Sequence, residues 1–235
     1  MVDPRGLVIY NSQMLKYIPV PVSDHDAILG HDFNQKFATI MQGFYQPYLA
    51  LGWEVDLSKT TWERVVANCI DHAVWVGAGK NVVDVQTPVA DIDVKSQSVD
   101  ALGSITTEAS FLQNNKRKND HFMKLFESND FQALKEMFVD LWVDKVTGTN
   151  NLHLLAIIRE KKNKNVSYCL LKLADDGLTE ADFISKMQVS GERSVDVPMI
   201  DPEYGKTYIY ISKRRLEIRL NTAGLKDYIV YSHTV

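Results

Sequence analysis

The sequence predicts an α/β (α+β) fold in which a mixed central β-sheet is flanked by helices. Two amphipathic helical stripes come first, a β-branched hairpin pattern follows, and a further helix leads into a run of hydrophobic strands. That order suits helices packed on the faces of a sheet. Hydrophobic residues make up 45% of the 235 positions, enough for one sizeable core. No solenoid-length repeat and no Pro/Gly/Ser-rich linker divides the chain, so a single domain over residues 1–235 is expected.

Residues 31–50 read as a helix. Phe33, Phe37, Ile40, Met41, Phe44 and Tyr45 keep helical spacing, Asp32 stands in the first turn and Gly52 ends it. A second helix is expected from Thr61 to Trp75, capped by Ser58 or Thr60. Its stripe is Val65, Val66, Cys69, Ile70 and Ala73, and Gly77 and Gly79 then break the chain. Val82-Val83-Asp84-Val85 and Val89-Ala90-Asp91-Ile92-Asp93-Val94 flank a Thr87-Pro88 turn and read as an antiparallel hairpin. Ile105 to Phe126 is mixed, helical in its later part. Ser128 or Asn129 is expected to cap the clearest helix, whose face is Phe131, Leu134, Met137, Phe138, Leu141, Trp142 and Val146, with Gly148 closing it. Strands follow at Leu152 to Arg159 and Val166 to Leu173, joined by the polar turn Lys161-Lys162-Asn163-Lys164-Asn165. After a loop-rich acidic stretch over 176–206, short strands are expected at Thr207 to Ile211, Leu216 to Leu220 and Tyr228 to Tyr231.

Composition narrows the function classes. Lys and Arg total 26 against 30 Asp and Glu, a formal charge of −4, which excludes coating nucleic acid by bulk positive charge but not a local basic surface. Two distant cysteines, Cys69 and Cys169, make no stapled scaffold, and no Cys/His set has zinc-finger spacing. The short apolar run Leu7 to Tyr10 lacks the length of a signal-peptide core, and Leu152 to Ile158 is too short to span a bilayer. A soluble, cytoplasmic protein with no membrane partner is the expectation. Gly77-Ala78-Gly79-Lys80-Asn81 departs from a phosphate loop, which needs glycine where Val74 stands and a hydroxyl where Asn81 stands. His72, beside Asp71, reads as structural, and no hydrolase elbow or zincin motif is present.

The densest chemical signal is Ala90-Asp91-Ile92-Asp93-Val94-Lys95-Ser96. In a strand Ala90, Ile92 and Val94 share one face, and Asp91, Asp93 and Lys95 share the other. Two carboxylates followed by a lysine suit metal-dependent phosphodiester hydrolysis: hard oxygens hold Mg²⁺, and the ammonium orients the attacking water. If the hairpin turns between Pro88 and Val89, Asp84 lies across from Asp93 and the two can share one cation. A solvated amphipathic strand shows the same alternation, so pattern alone leaves both readings open.

Asp93-Val94-Lys95-Ser96, with Asp84 as the earlier acid, resembles the PD-(D/E)xK nuclease superfamily and within it the type II restriction endonucleases. The layout is similar over about residues 30–175. A helix after Gly30-His31 comes first, then the hairpin, a polar loop from Ser96 to Thr107, a helix, and the hydrophobic strand Leu152 to Ile158. Val83 stands where the nominal motif has proline, and the spacing from Asp84 to Asp93 is short for the family. In a second mapping Pro88-Val89-Ala90-Asp91 is the first half and Glu108 the second acid, but Ser110 then replaces the lysine. The resemblance implies a restriction-endonuclease-like fold, with the catalytic core over about 30–175 and a strand-rich part over 176–235. It implies one or two Mg²⁺ ions held by Asp84, Asp93 and the carbonyl of Val94, with Asp91 as a neighbour. Lys95 would be catalytic with the two acids; Glu63, on the second helix, is a weaker candidate for an outer metal contact and reads first as a solvated helix-surface glutamate.

Duplex DNA would then be the partner, and cutting both strands symmetrically favours a two-fold homodimer. Ser96, Gln97 and Ser98, leaving the catalytic strand, and Gln113, Asn114, Asn115, Lys116, Arg117 and Lys118 are the DNA-contact candidates, with Arg214 and Arg215 as a second basic cluster beside Lys213 and Arg219. Two rival functions stay open at this level: a repair or junction-resolving nuclease of the same superfamily, and a non-enzymatic binding protein whose Asp-x-Asp-x-Lys is an exposed strand face.

Overall fold

The computed structural model describes residues 13–51, 57–77, 83–99, 104–110, 116–160, 165–190, 194–211 and 215–232. In chain order the elements are β1 (Gln13–Pro19), α1 (His25–Leu29), α2 (Phe33–Ala50), α3 (Lys59–Cys69), β2 (Val74–Trp75), β3 (Val85–Gln86), β4 (Asp91–Val99) and β5 (Ser104–Ser110). They continue with α4 (Lys116–Glu127), α5 (Phe131–Val146), β6 (His153–Glu160), β7 (Val166–Thr179), α6 (Glu180–Lys186), β8 (Gln188–Ser190), β9 (Ser194–Val197), β10 (Gly205–Tyr210), β11 (Arg215–Asn221) and β12 (Ile229–Ser232). The protein is therefore mixed α/β, as its residue pattern predicts.

Seven strands form a mixed sheet in the order β1-β7-β6-β4-β3-β2, with β12 also paired to β7. The only parallel pair among its described neighbours is β4 with β6, running from Ile92↔His153 to Val99↔Glu160. A parallel pair needs a crossover, and here β5, α4 and α5 supply it. A second, five-stranded sheet has the order β5-β11-β10-β9-β8.

Both faces of the large sheet are covered, which is why β6 reads as an unbroken apolar run. Leu155 and Ile157 face one core, with Phe33, Phe37 and Met41 of α2, Trp62, Val65 and Val66 of α3, and Ile92 and Val94 of β4. Leu154, Ala156 and Ile158 face the other, where Leu134, Phe138 and Trp142 of α5 meet Ile209, Ile218 and Leu220 of the second sheet. The alternation on β4 thus commits Ile92 and Val94 to the α2/α3 side and Asp91, Asp93 and Lys95 to the opposite face.

Several sequence expectations are corrected. The helix expected through Trp75 ends at Cys69; His72 takes φ +60°, turning the chain so that Val74 and Trp75 pair with β3. Ser96 to Val99 are not loop but the far half of β4, because the parallel ladder to β6 satisfies their backbone whatever their polarity. Ser104 to Ser110, expected as the end of a polar loop and the start of a mixed segment, is strand, paired along its length with β11. Asp130, not Ser128 or Asn129, caps α5 by accepting from the Ala133 N–H at 3.2 Å. Residues 176–206 are not simply a loop: they hold the end of β7, α6 capped by Thr179, and β8 and β9. β1, on which the sequence reading was silent, closes the edge of β7.

Candidate acid–lysine site

The hairpin turn fixes the first geometry. Thr87 Oγ1 accepts from the N–H groups of Val89 at 3.2 Å and Ala90 at 2.9 Å, and Thr87 N–H donates to the Ala90 carbonyl at 2.9 Å. This tight turn sets the register Gln86↔Asp91 and Val85↔Ile92, and beyond it the Asp84 N–H donates to the Ile92 carbonyl at 3.0 Å. The Val94 N–H donates to Asp84 Oδ2 at 2.9 Å, locking that carboxylate over β4.

The polar face of β4 is not a wet face. Asp84, Asp91 and Asp93 are exposed by only 3%, 6% and 4%, where a solvated strand would leave them in water. Lys95 Nζ donates to Asp93 Oδ1 and stands 3.6 Å from Asp84 Oδ2 and 3.5 Å from the Val94 carbonyl. Asp84 and Asp93 also hydrogen-bond to each other, so two carboxyl groups share one buried space.

Their titration follows from that crowding. Burial pushes Asp93 up to about 7, and the neighbouring Asp84 charge adds to the rise against the pull of Lys95. Burial also works to raise Asp84, but Lys95, the hydrogen bond from Asp93, Lys59 and the Val94 N–H together hold it below the usual carboxylate range. For Lys95, burial opposes the charge, yet Asp93 and Asp84 outweigh it and keep the ammonium protonated above the ordinary lysine range.

Helix α3 brings a third acid. Ser58 caps it by accepting from the Thr61 N–H at 3.2 Å, so Lys59 and Glu63 fall one turn apart on one face. Glu63 is fully buried; its Oε2 accepts from Trp75 Nε1 at 3.0 Å, and its Oε1 has no hydrogen bond among the described residues but faces Lys59 Nζ at 3.4 Å. Lys59 Nζ is also 3.6 Å from Asp84 Oδ1. From α5, burial pulls the Lys145 ammonium down, and its titration responds to Asp93, Lys95, Lys59 and Asp84 together, which marks it as a neighbour of the cluster. Sequence reasoning missed Lys59 and Lys145. Lys145 was findable as a charge on the apolar face of its helix, one turn beyond Leu141; that Lys59 meets Asp84 is a tertiary fact.

Other predicted residues lie elsewhere. Asp91 Oδ2 accepts from the Asn150 N–H at 2.7 Å, fastening the entry to β6. Glu108 sits on β5, opposite Glu217 of β11 in the second sheet, and so is not paired with Asp91 on the hairpin. Ser96, Gln97 and Ser98 are half-buried along β4, with Gln97 Nε2 donating to the Ser98 carbonyl at 3.2 Å. Arg117 and Lys118 are exposed in the first turn of α4, begun by Lys116, and Lys118 Nζ lies 3.9 Å from Asp144 on α5. Arg215 on β11 pairs with Glu217 at 3.1 Å. Gln113, Asn114, Asn115 and Arg214 lie outside the described residues.

The donor set fits a hard divalent cation. Two carboxylates in hydrogen-bonding reach of each other, a backbone carbonyl and an unbonded buried Glu63 oxygen offer oxygen only, as Mg²⁺ prefers. Among the described residues no group of three or more His, Cys, Asp or Glu forms a ready cage; Mg²⁺ ordinarily uses one or two carboxylates plus water and substrate phosphate. Among the described residues no helix is long and apolar enough to cross a membrane. Comparison of the chain with family models, curated proteins and solved structures gives no match.

Proposed function

We propose that this protein is a Mg²⁺-dependent DNA endonuclease of the PD-(D/E)xK type, a type II restriction enzyme hydrolysing phosphodiester bonds at a specific duplex sequence. The observation that carries the reading is the burial of Asp84 and Asp93 against each other with Lys95 between them. A merely solvated strand would have no reason to desolvate two acids and a lysine together, since each costs several kcal/mol unless paired. The element order also supports it: an N-terminal helix, an acid-bearing hairpin, helices, then a hydrophobic strand parallel to β4. Sequence specificity and the restriction role rest on the family resemblance.

Asp84 and Asp93, with the Val94 carbonyl, would hold the ion. Mg²⁺ there supplies Lewis-acid stabilisation of the charge developing on the phosphate and makes a bound water more acidic. Lys95, kept charged by the two aspartates, would hydrogen-bond the attacking water and hold it in line with phosphorus. The Val94 N–H fixes Asp84 Oδ2 on the Lys95 side, and Oδ1 faces Lys59. A two-fold dimer would bring one such cluster to each strand.

Digestion of sequence-diverse duplex DNA with the purified protein and Mg²⁺ tests the proposal. Discrete fragments are expected. No cleavage with Mg²⁺ or Mn²⁺ would overturn it, and cleavage confined to branched or mismatched DNA would reassign the biology to repair.

A further inference from the structure

The two lysines at the acid cluster are held in different ways. Lys95 is inside: its side chain is 14% exposed and it reaches both Asp84 and Asp93. Lys59 is outside: its side chain is 58% exposed, yet its ammonium reaches two nearly inaccessible carboxylates on separate elements, Glu63 Oε1 at 3.4 Å and Asp84 Oδ1 at 3.6 Å.

We propose that Lys59 is a displaceable counter-ion, standing in for the divalent cation at Asp84 and Glu63 and leaving when that cation binds. The inference rests on the nuclease reading of the site and adds how the site is kept together before it is loaded. The buried carboxylates need a positive charge. Among the described residues Trp75 is the one hydrogen-bond donor to Glu63, on its other oxygen, and a desolvated charge left unpaired is expensive. The lysine does not need the carboxylates: a half-exposed ammonium regains water when it swings away, so its departure costs little. The Val94 N–H already takes one lone pair of Asp84 Oδ2, so Oδ1, the oxygen that Lys59 faces, is the more open of the two to a cation. Ion and ammonium compete for the same atom. Lys95 is not exchanged in this way, because leaving would take it out of a buried pair.

Calorimetric titration of the full chain with Ca²⁺, without DNA, tests the exchange. Lys59→Met should bind Ca²⁺ about three- to tenfold more tightly than the parent, the size that a half-exposed ion pair allows. Lys59→Gln should do the same, and it replaces Lys59→Met if that variant fails to fold by circular dichroism. Lys36→Met, which removes an equal charge from the Asp71 pair, should bind as the parent does. Unchanged or weaker binding in both Lys59 variants overturns the exchange while leaving the nuclease reading standing, as does equal tightening in Lys36→Met, which reports net charge alone. Absence of Ca²⁺ binding by the parent overturns the cation site itself and the exchange with it.

Discussion

At Asp93 burial and a neighbouring negative charge act in the same direction, and the proton they favour is the one a cation must displace. The sign of the effect on stability follows from linkage. The unfolded carboxyl titrates near 3.8 and the folded one at about 7, so between these values the native state holds a proton the unfolded chain has lost. The contribution of Asp93 to stability is present on the acid side and disappears as the pH rises through about 7. Asp84, Lys95, Lys145 and Tyr17 all sense this proton. His25 and His153 also shift the pH profile, because burial lowers both, His153 to about 4. A difference measurement removes them. In chelator, the stability of Asp93→Asn relative to the parent should rise between pH 5 and pH 8, measured by urea denaturation. A flat or falling difference would mean Asp93 is not the proton holder. Cys69 and Cys169 carry no such chemistry: burial pushes both thiols up to about 12, so they stay protonated packing groups.

Among the elements, α3 matters most, because its first turn supplies Lys59 and Glu63. Ser58→Ala removes the cap and should cost about 1 kcal/mol in urea denaturation. On β10, a Cβ on Gly205 would stand 2.4 Å from the Arg219 backbone carbonyl, where no side chain can yield. Gly205→Ala should destabilise by about 1–3 kcal/mol, the usual cost of overpacking; an unchanged denaturation midpoint would contradict the close β10–β11 approach. The same elements show what the sequence could disclose. The stripes of α2 and α5, the strands β6 and β7, and the hairpin centred between Pro88 and Val89 were legible because each carries its own period or turn chemistry. β5 was not: Ser104, Thr106, Thr107, Glu108 and Ser110 surround one buried apolar residue, Ile105, and only the partner β11 makes the segment a strand. The end of β4 was hidden for the same reason. The acid–lysine face could be read from alternation, but its burial could not, since α5, whose Lys145 senses the cluster, comes from the crossover some fifty residues further along the chain.

Across the whole molecule, the large sheet is covered on both faces, and the acid cluster is reached by Lys145 of α5 and by Lys59 of α3. A chain of formal charge −4 that binds DNA must do so through local positive groups. Arg117, exposed where α4 begins, would be one such group under the proposed function. Arg117→Ala should weaken Ca²⁺-supported duplex binding uniformly across sequences and shallow its salt dependence by about one released ion. A loss restricted to one sequence would make Arg117 a base reader instead. The nuclease reading itself turns on whether the buried pair does chemistry. The most direct measurement is the Mg²⁺-dependent cleavage rate of supercoiled DNA by the parent and by Asp93→Ala, both verified as folded. The account predicts cleavage by the parent and a loss of about 10³-fold or more in the variant, since removing one group that stabilises developing charge alone costs about 10²–10³. Equal rates would show that the Asp84–Asp93–Lys95 cluster is not the catalytic site.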